Sequence, residues 1–130
     1  MNIERYHSNQ RMSQIVACGP TVYLAGQVAQ DPAQDIEGQT RQILAQIESL
    51  LAQVHSSKSQ LLAVTIWLAD IQDFQRMNSI WDAWVDRANP PARACVQAAL
   101  ARPTLKVEMQ VTAWRAAPAQ MRGPASGAGA

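Results

Sequence analysis

Hydrophobic and polar positions alternate or recur along most of the chain. Residues 13–18 (SQIVAC) and 21–25 (TVYLA) are short runs of strand formers punctuated by Gly19-Pro20, which predicts a tight antiparallel hairpin. From Gly38 to Val54, Ile43, Leu44, Ile47, Leu50, Leu51 and Val54 recur at helical spacing, and Gln39, Arg41, Gln42, Gln46 and Gln53 fall on the other faces. Residues 61–69 (LLAVTIWLA) are almost continuously apolar and rich in β-branched and aromatic types, which predicts a central, buried strand. Asp70 or Asp73 can cap a second helix, whose stripe of Phe74, Met77, Trp81, Trp84 and Val85 is stopped by Pro90-Pro91. Two more strands follow at 92–99 and 106–114. In the last, Val107, Met109, Val111 and Ala113 alternate with Lys106, Glu108, Gln110 and Thr112.

The order β-β-α-β-α-β-β, with one apolar stripe per helix, predicts an α+β fold in which both helices cover one face of a mixed sheet. The opposite face is then left either to solvent or to a subunit interface. Residues 1–10 are polar, and beyond Ala116 the chain is Pro-, Gly- and Ala-rich with little to bury. The expected organisation is one domain over 1–115 and a flexible tail over 116–130.

Composition narrows the function classes. The 130 residues are 48% hydrophobic and carry a formal charge of +1, and no stripe of Lys and Arg gives nucleic acid a footprint. No apolar run approaches the roughly 20 residues that span a bilayer, so a cytoplasmic protein without a membrane partner is expected. Cys18 and Cys95 read as two buried free thiols. There is no Gly-rich phosphate loop and no Cys pair at metal spacing, and His7 and His55 lie in polar, turn-like stretches, so neither metal nor cofactor is expected.

Candidate chemistry falls on Arg93 and Glu108. A guanidinium fixed at the start of a strand, just after Pro90-Pro91-Ala92, can grip a small carboxylate-bearing molecule with two parallel hydrogen bonds. It can equally be an exposed strand-end arginine or the structural partner of Glu108, itself readable as a solvated strand residue. Asn78, an amide in an apolar helix, reads as a packing hydrogen bond, and Cys95 as a small buried hydrophobe.

Several stretches share one family likeness: Arg11-Met12-Ser13-Gln14, Val22 to Gln27, Gln39-Thr40-Arg41-Gln42, Thr65 to Asp70, Asp73-Phe74, Met77-Asn78, Pro91 to Val96 and Lys106-Val107-Glu108. Together they resemble the Rid (reactive intermediate deaminase) family, also called YjgF or L-PSP, over about Arg11 to Trp114. Trp81-Asp82-Ala83-Trp84-Val85 suggests a divergent branch. The resemblance implies a chorismate-mutase-like α+β fold and a homotrimer with inward-facing sheets and sites in the clefts between subunits. It further implies cofactor-free hydrolysis of 2-imino acids and their enamine tautomers to 2-keto acids and ammonia. By the same resemblance Arg93 binds the substrate carboxylate, Glu108 orients or activates water, Cys95 contributes mainly backbone contacts, and Asn78 supports the site. Met12 and Ala25 stand at substrate-facing positions where many active members carry Tyr and Ser. The rival readings are a 2-keto acid-binding or regulatory protein without turnover and, less favoured by the charge balance, an endoribonuclease.

Overall fold

The computed structural model describes residues 2–116. In chain order the elements are β1 (Ile3–Tyr6), β2 (Ile15–Cys18), β3 (Thr21–Leu24), β4 (Gln27–Val28), α1 (Ile36–Gln53), β5 (Leu61–Leu68), α2 (Phe74–Trp84), β6 (Ala92–Gln97) and β7 (Val107–Trp114). They form one mixed sheet ordered β1-β2-β3-β7-β5-β6, with β4 also pairing to β7. Among the described strands only β5 and β6 run parallel, joined by the α2 crossover.

The hairpin forms as expected: Cys18 pairs with Thr21 and Ile15 with Leu24, and Gly19 takes the positive φ of 59° that the turn requires. Asp35 caps α1 by accepting from Gly38 N at 2.9 Å, so the helix begins two residues earlier than its apolar periodicity predicts. Asp70, not Asp73, supplies the cap before α2, accepting from Gln72 N at 2.9 Å.

Helix α2 stops at Trp84, well before Pro90-Pro91. Its final carbonyl accepts from Lys58 Nζ at 2.7 Å, Val85 is extended, and Asp86 begins a turn by accepting from Ala88 N. Gln39, assigned by periodicity to an outer face, is fully buried. Its Nε2 lies 3.0–3.1 Å from the carbonyls of Pro32, Gln34 and Thr104, and its Oε1 accepts from Lys106 N. A buried amide satisfied at both ends sets the approach to β7.

Both helices pack on one face of the sheet, over Ile15, Ala17, Val22, Leu24, Val64, Ile66, Leu68 and the inward residues of β7. Strand β5, expected to be central and buried, lies one in from the edge strand β6 and is buried on that face alone: Thr65 and Trp67 are half-buried and Ala63 is exposed on the other. Tyr23 and Trp114 are 50% and 45% exposed, so the open face carries large aromatic groups.

Strand β1 escapes the periodicity because IERY buries little. It is held by Arg115, 2% exposed, which donates to the Gly19 carbonyl and to both carboxylate oxygens of Glu4. Beyond Ala116 the expected tail lies outside the described residues. Cys18 and Cys95 are free, half-buried thiols. Among the described residues no helix is long and apolar enough to cross a membrane.

Candidate functional site

Arg93 sits on edge strand β6. The parallel register sets it beside Val64, and Cys95 beside Ile66, so both point to the helix-covered side, toward α2. On α2, Phe74, Asn78 and Trp81 follow one another at spacings of four and three and therefore share a face. Asn78 Oδ1 accepts from Arg93 Nη1 at 2.7 Å. The guanidinium carbon lies 5.9 Å from the Phe74 ring centre and 5.2 Å from that of Trp81. The Asn78 bond and the two rings restrain the guanidinium plane, while Nε and Nη2 have no hydrogen-bond partner among the described residues. That leaves a donor edge suited to a carboxylate. Burial pushes the Cys95 thiol above the ordinary cysteine range, with Arg93 pulling the other way, so the thiol is the resting form rather than a nucleophilic thiolate.

Glu108 occupies the other face. Its neighbours Val107 and Met109 are fully buried beneath the helices, while Glu108, across from Trp67 on β5 and Val28 on β4, points away from them and is half-buried. Its side chain makes no hydrogen bond or ion pair among the described residues. Its carboxylate rests against Gly26: a Cβ there would collide with Glu108 Oε2. Ala25 precedes Gly26, donating its N–H to the Gln14 carbonyl at 2.9 Å and accepting at its own carbonyl from Gln27 Nε2 at 3.1 Å. Met12 Sδ is 4.0 Å from Gln14 Nε2. Both Met12 and Ala25 are half-buried and present apolar surface.

The expected residues therefore gather in two groups. Arg93, Asn78 and Cys95 form one; Glu108, Ala25 and, through Gln14, Met12 form the other. One chain does not bring them together, because Arg93 and Glu108 project from opposite faces. An Arg93–Glu108 ion pair is absent among the described residues, which removes the purely structural pairing left open by the sequence.

A model of the endoribonuclease L-PSP family matches residues 2–115. A RutC family protein of Haemophilus ducreyi is 40% identical over 111 residues, covering 85% of this chain and 95% of its own. The RutC family protein YoaB of Escherichia coli is 42% identical over 113 residues, covering 87% and 98%. The crystal structure of a YjgF-family protein from Neisseria meningitidis superimposes with a TM-score of 0.87 at 38% identity, covering 91% of this chain and 98% of its own. The chain belongs to the YjgF/Rid family.

As in the solved YjgF-family structure, the Rid fold here is one mixed sheet under two helices. Sequence reasoning passed over the aromatic bracket of this Rid chain's arginine. Phe74 and Trp81 counted only as members of an apolar stripe, although their spacing from Asn78 places all three on one helix face. Gly26 and Gln27 stood out only as a motif; their contacts supply the physical reason.

Proposed function

We propose that this Rid-family chain hydrolyses 2-imino acids and their enamine tautomers to 2-keto acids and ammonia. The cleft is shared by neighbouring subunits of a homotrimer, with Arg93 from one and Glu108 from the next. The observation that carries the reading is the pair of half-sites: a restrained guanidinium whose donor edge has no partner among the described residues, and on the opposite face a carboxylate that likewise has none among them.

Arg93 grips the substrate carboxylate with its free fork. The imine carbon is already electrophilic, so Glu108 needs only to orient a water and accept its proton as oxygen adds to C2. The carboxyl hands that proton to the nitrogen to give a neutral carbinolamine, then takes the hydroxyl proton as the C2–oxygen double bond forms and passes it to the nitrogen, so the C–N bond breaks and ammonia leaves. One water is consumed and Glu108 returns to its starting state. Orientation in such a cleft contributes several kcal/mol, and one acid–base group about 10²- to 10⁴-fold in rate. Met12 and Ala25 form an apolar wall where hydroxyls would offer extra contacts to water or substrate, and this favours the second reading, a 2-keto acid-binding protein without turnover. Ribonuclease chemistry, the activity in the matched family's description, gains no support from a chain of charge +1 whose Arg41, Arg76 and Arg115 are paired with carboxylates.

The test supplies imine continuously from alanine with an amino-acid oxidase and traps what escapes hydrolysis with semicarbazide. Catalytic amounts of the protein should lower the trapped fraction. Saturable binding of 2-ketobutyrate without any such decrease would make the chain a binding protein instead.

A further inference from the structure

Strand β3 leaves β7 after Tyr23–Thr112, and β4 rejoins it at Gln27–Met109. Between these pairs three residues, 24–26, face two, 110–111, so the strand bulges at Ala25–Gly26. The bulge brings the Gly26 backbone against the Glu108 carboxylate. What holds it there is a relay of amides. Gln46 on α1 donates from Nε2 to the Val28 carbonyl at 3.0 Å and to Gln27 Oε1 at 3.2 Å. Gln27, 6% exposed, donates in turn to the Ala25 carbonyl at 3.1 Å and to Gln14 Oε1 at 2.8 Å. The two backbone carbonyls dictate which end of each amide is nitrogen, so the direction of the relay is fixed. With the Gln14 carbonyl accepting from Ala25 N, both backbone polar groups of Ala25 are clamped.

We propose that Gln27 is a positioning residue for Glu108, acting through the Ala25–Gly26 backbone; this role rests on the imine-hydrolase reading above. Gln27 does not touch substrate. It fixes the surface on which the carboxylate lies, and so the place from which Glu108 reaches water. If it merely tied β4 to α1, its loss would lower stability without acting through Glu108.

The experiment measures kcat and KM for the alanine-derived imine, and Kd for 2-ketobutyrate, in Gln27→Met and Gly26→Ala. Each substitution is made alone and in a Glu108→Gln background. Gly26 has no positive φ, and the added methyl meets the flexible end of Glu108, so this variant keeps the fold while moving the carboxylate. Each single substitution should lower kcat by about 10- to 100-fold, the scale of an ångström-sized misplacement. KM and Kd should stay within about twofold, because Arg93 is untouched. In the Glu108→Gln background neither should lower kcat further, since residues acting through one group are non-additive. Should Gln27→Met not fold, Gln46→Leu, which removes only the outer link, carries the same comparison. Full kcat in a folded relay variant, or a loss that persists without Glu108, overturns the positioning role alone. A parent protein without imine turnover overturns the hydrolase reading and this role with it.

Discussion

Arg93 and Glu108 project from opposite faces of one sheet. Arg93 is registered with Val64, buried under the helices, and Glu108 with Trp67, which faces away from them. The two residues best suited to bind a carboxylate and to activate water thus cannot share a cleft within one chain. The proposed site needs two copies, and the aromatic open face is where the sheets of neighbouring copies would meet.

Arg93→Ala should abolish both 2-ketobutyrate binding, read by calorimetry, and imine hydrolysis. Arg93→Lys should restore little of either, because an ammonium reproduces neither the bidentate fork nor the planar contact with Phe74 and Trp81. A folded Arg93→Ala protein that hydrolyses imine like the parent would end the carboxylate-grip mechanism.

Glu108→Gln should fail differently. The amide can still hold a water but cannot accept its proton, so kcat should fall by about 10²- to 10⁴-fold. Binding of 2-ketobutyrate should stay within a few-fold of the parent. Equal loss of binding and turnover would assign Glu108 to substrate binding.

Phe74→Leu keeps apolar volume beside Arg93 but removes one ring from the guanidinium. With a cation–π contact of about 0.5–1 kcal/mol, Kd for 2-ketobutyrate should rise about two- to fivefold, with kcat little changed. A kcat loss without a Kd change would contradict the bracket's role in binding.

Acid should loosen β1. The Tyr6 hydroxyl, which donates at 2.7 Å, and then Arg115 hold the Glu4 carboxyl below the ordinary carboxylate range. A carboxylate whose folded pKa is lowered stabilises the fold above its unfolded value, about 4.3, and that contribution is lost as pH falls further through the folded value. The parent Tm should therefore drop from pH 5 toward pH 3. Glu4→Gln should melt lower than the parent at pH 7, leaving buried Arg115 without its carboxylate, and should lose less on acidification. Parallel curves for the two proteins would show that Glu4 does not carry the acid sensitivity.

Much of this was legible in the sequence where a period was clean: the β7 alternation, the α1 stripe and the Gly19 hairpin all form as their patterns dictate. Strand β1 was not, because its order depends on Arg115 reaching Glu4 across 111 positions, a pairing no local period encodes. Gln39 departs from its polarity for a related reason: an amide that bonds the Thr104 carbonyl and Lys106 N, 65 and 67 positions away, can be buried on a helix face that polarity assigns to solvent. For the site, the residues could be named one by one, but not their division between faces. That division depends on which neighbour each strand takes, and the separate parities of β6 and β7 become comparable only once β5 lies between them.

The shared cleft is tested most directly by mixing two inactive proteins. Arg93→Ala subunits keep Glu108, and Glu108→Gln subunits keep Arg93. If each cleft takes one residue from each of two neighbours, equal mixing with full subunit exchange leaves both groups intact in about one cleft in four, the random expectation for a cyclic assembly. A shared cleft should therefore recover about a quarter of the parent's imine hydrolysis, against almost none for either protein alone. Folded, exchanged assemblies that stay inactive would contradict it.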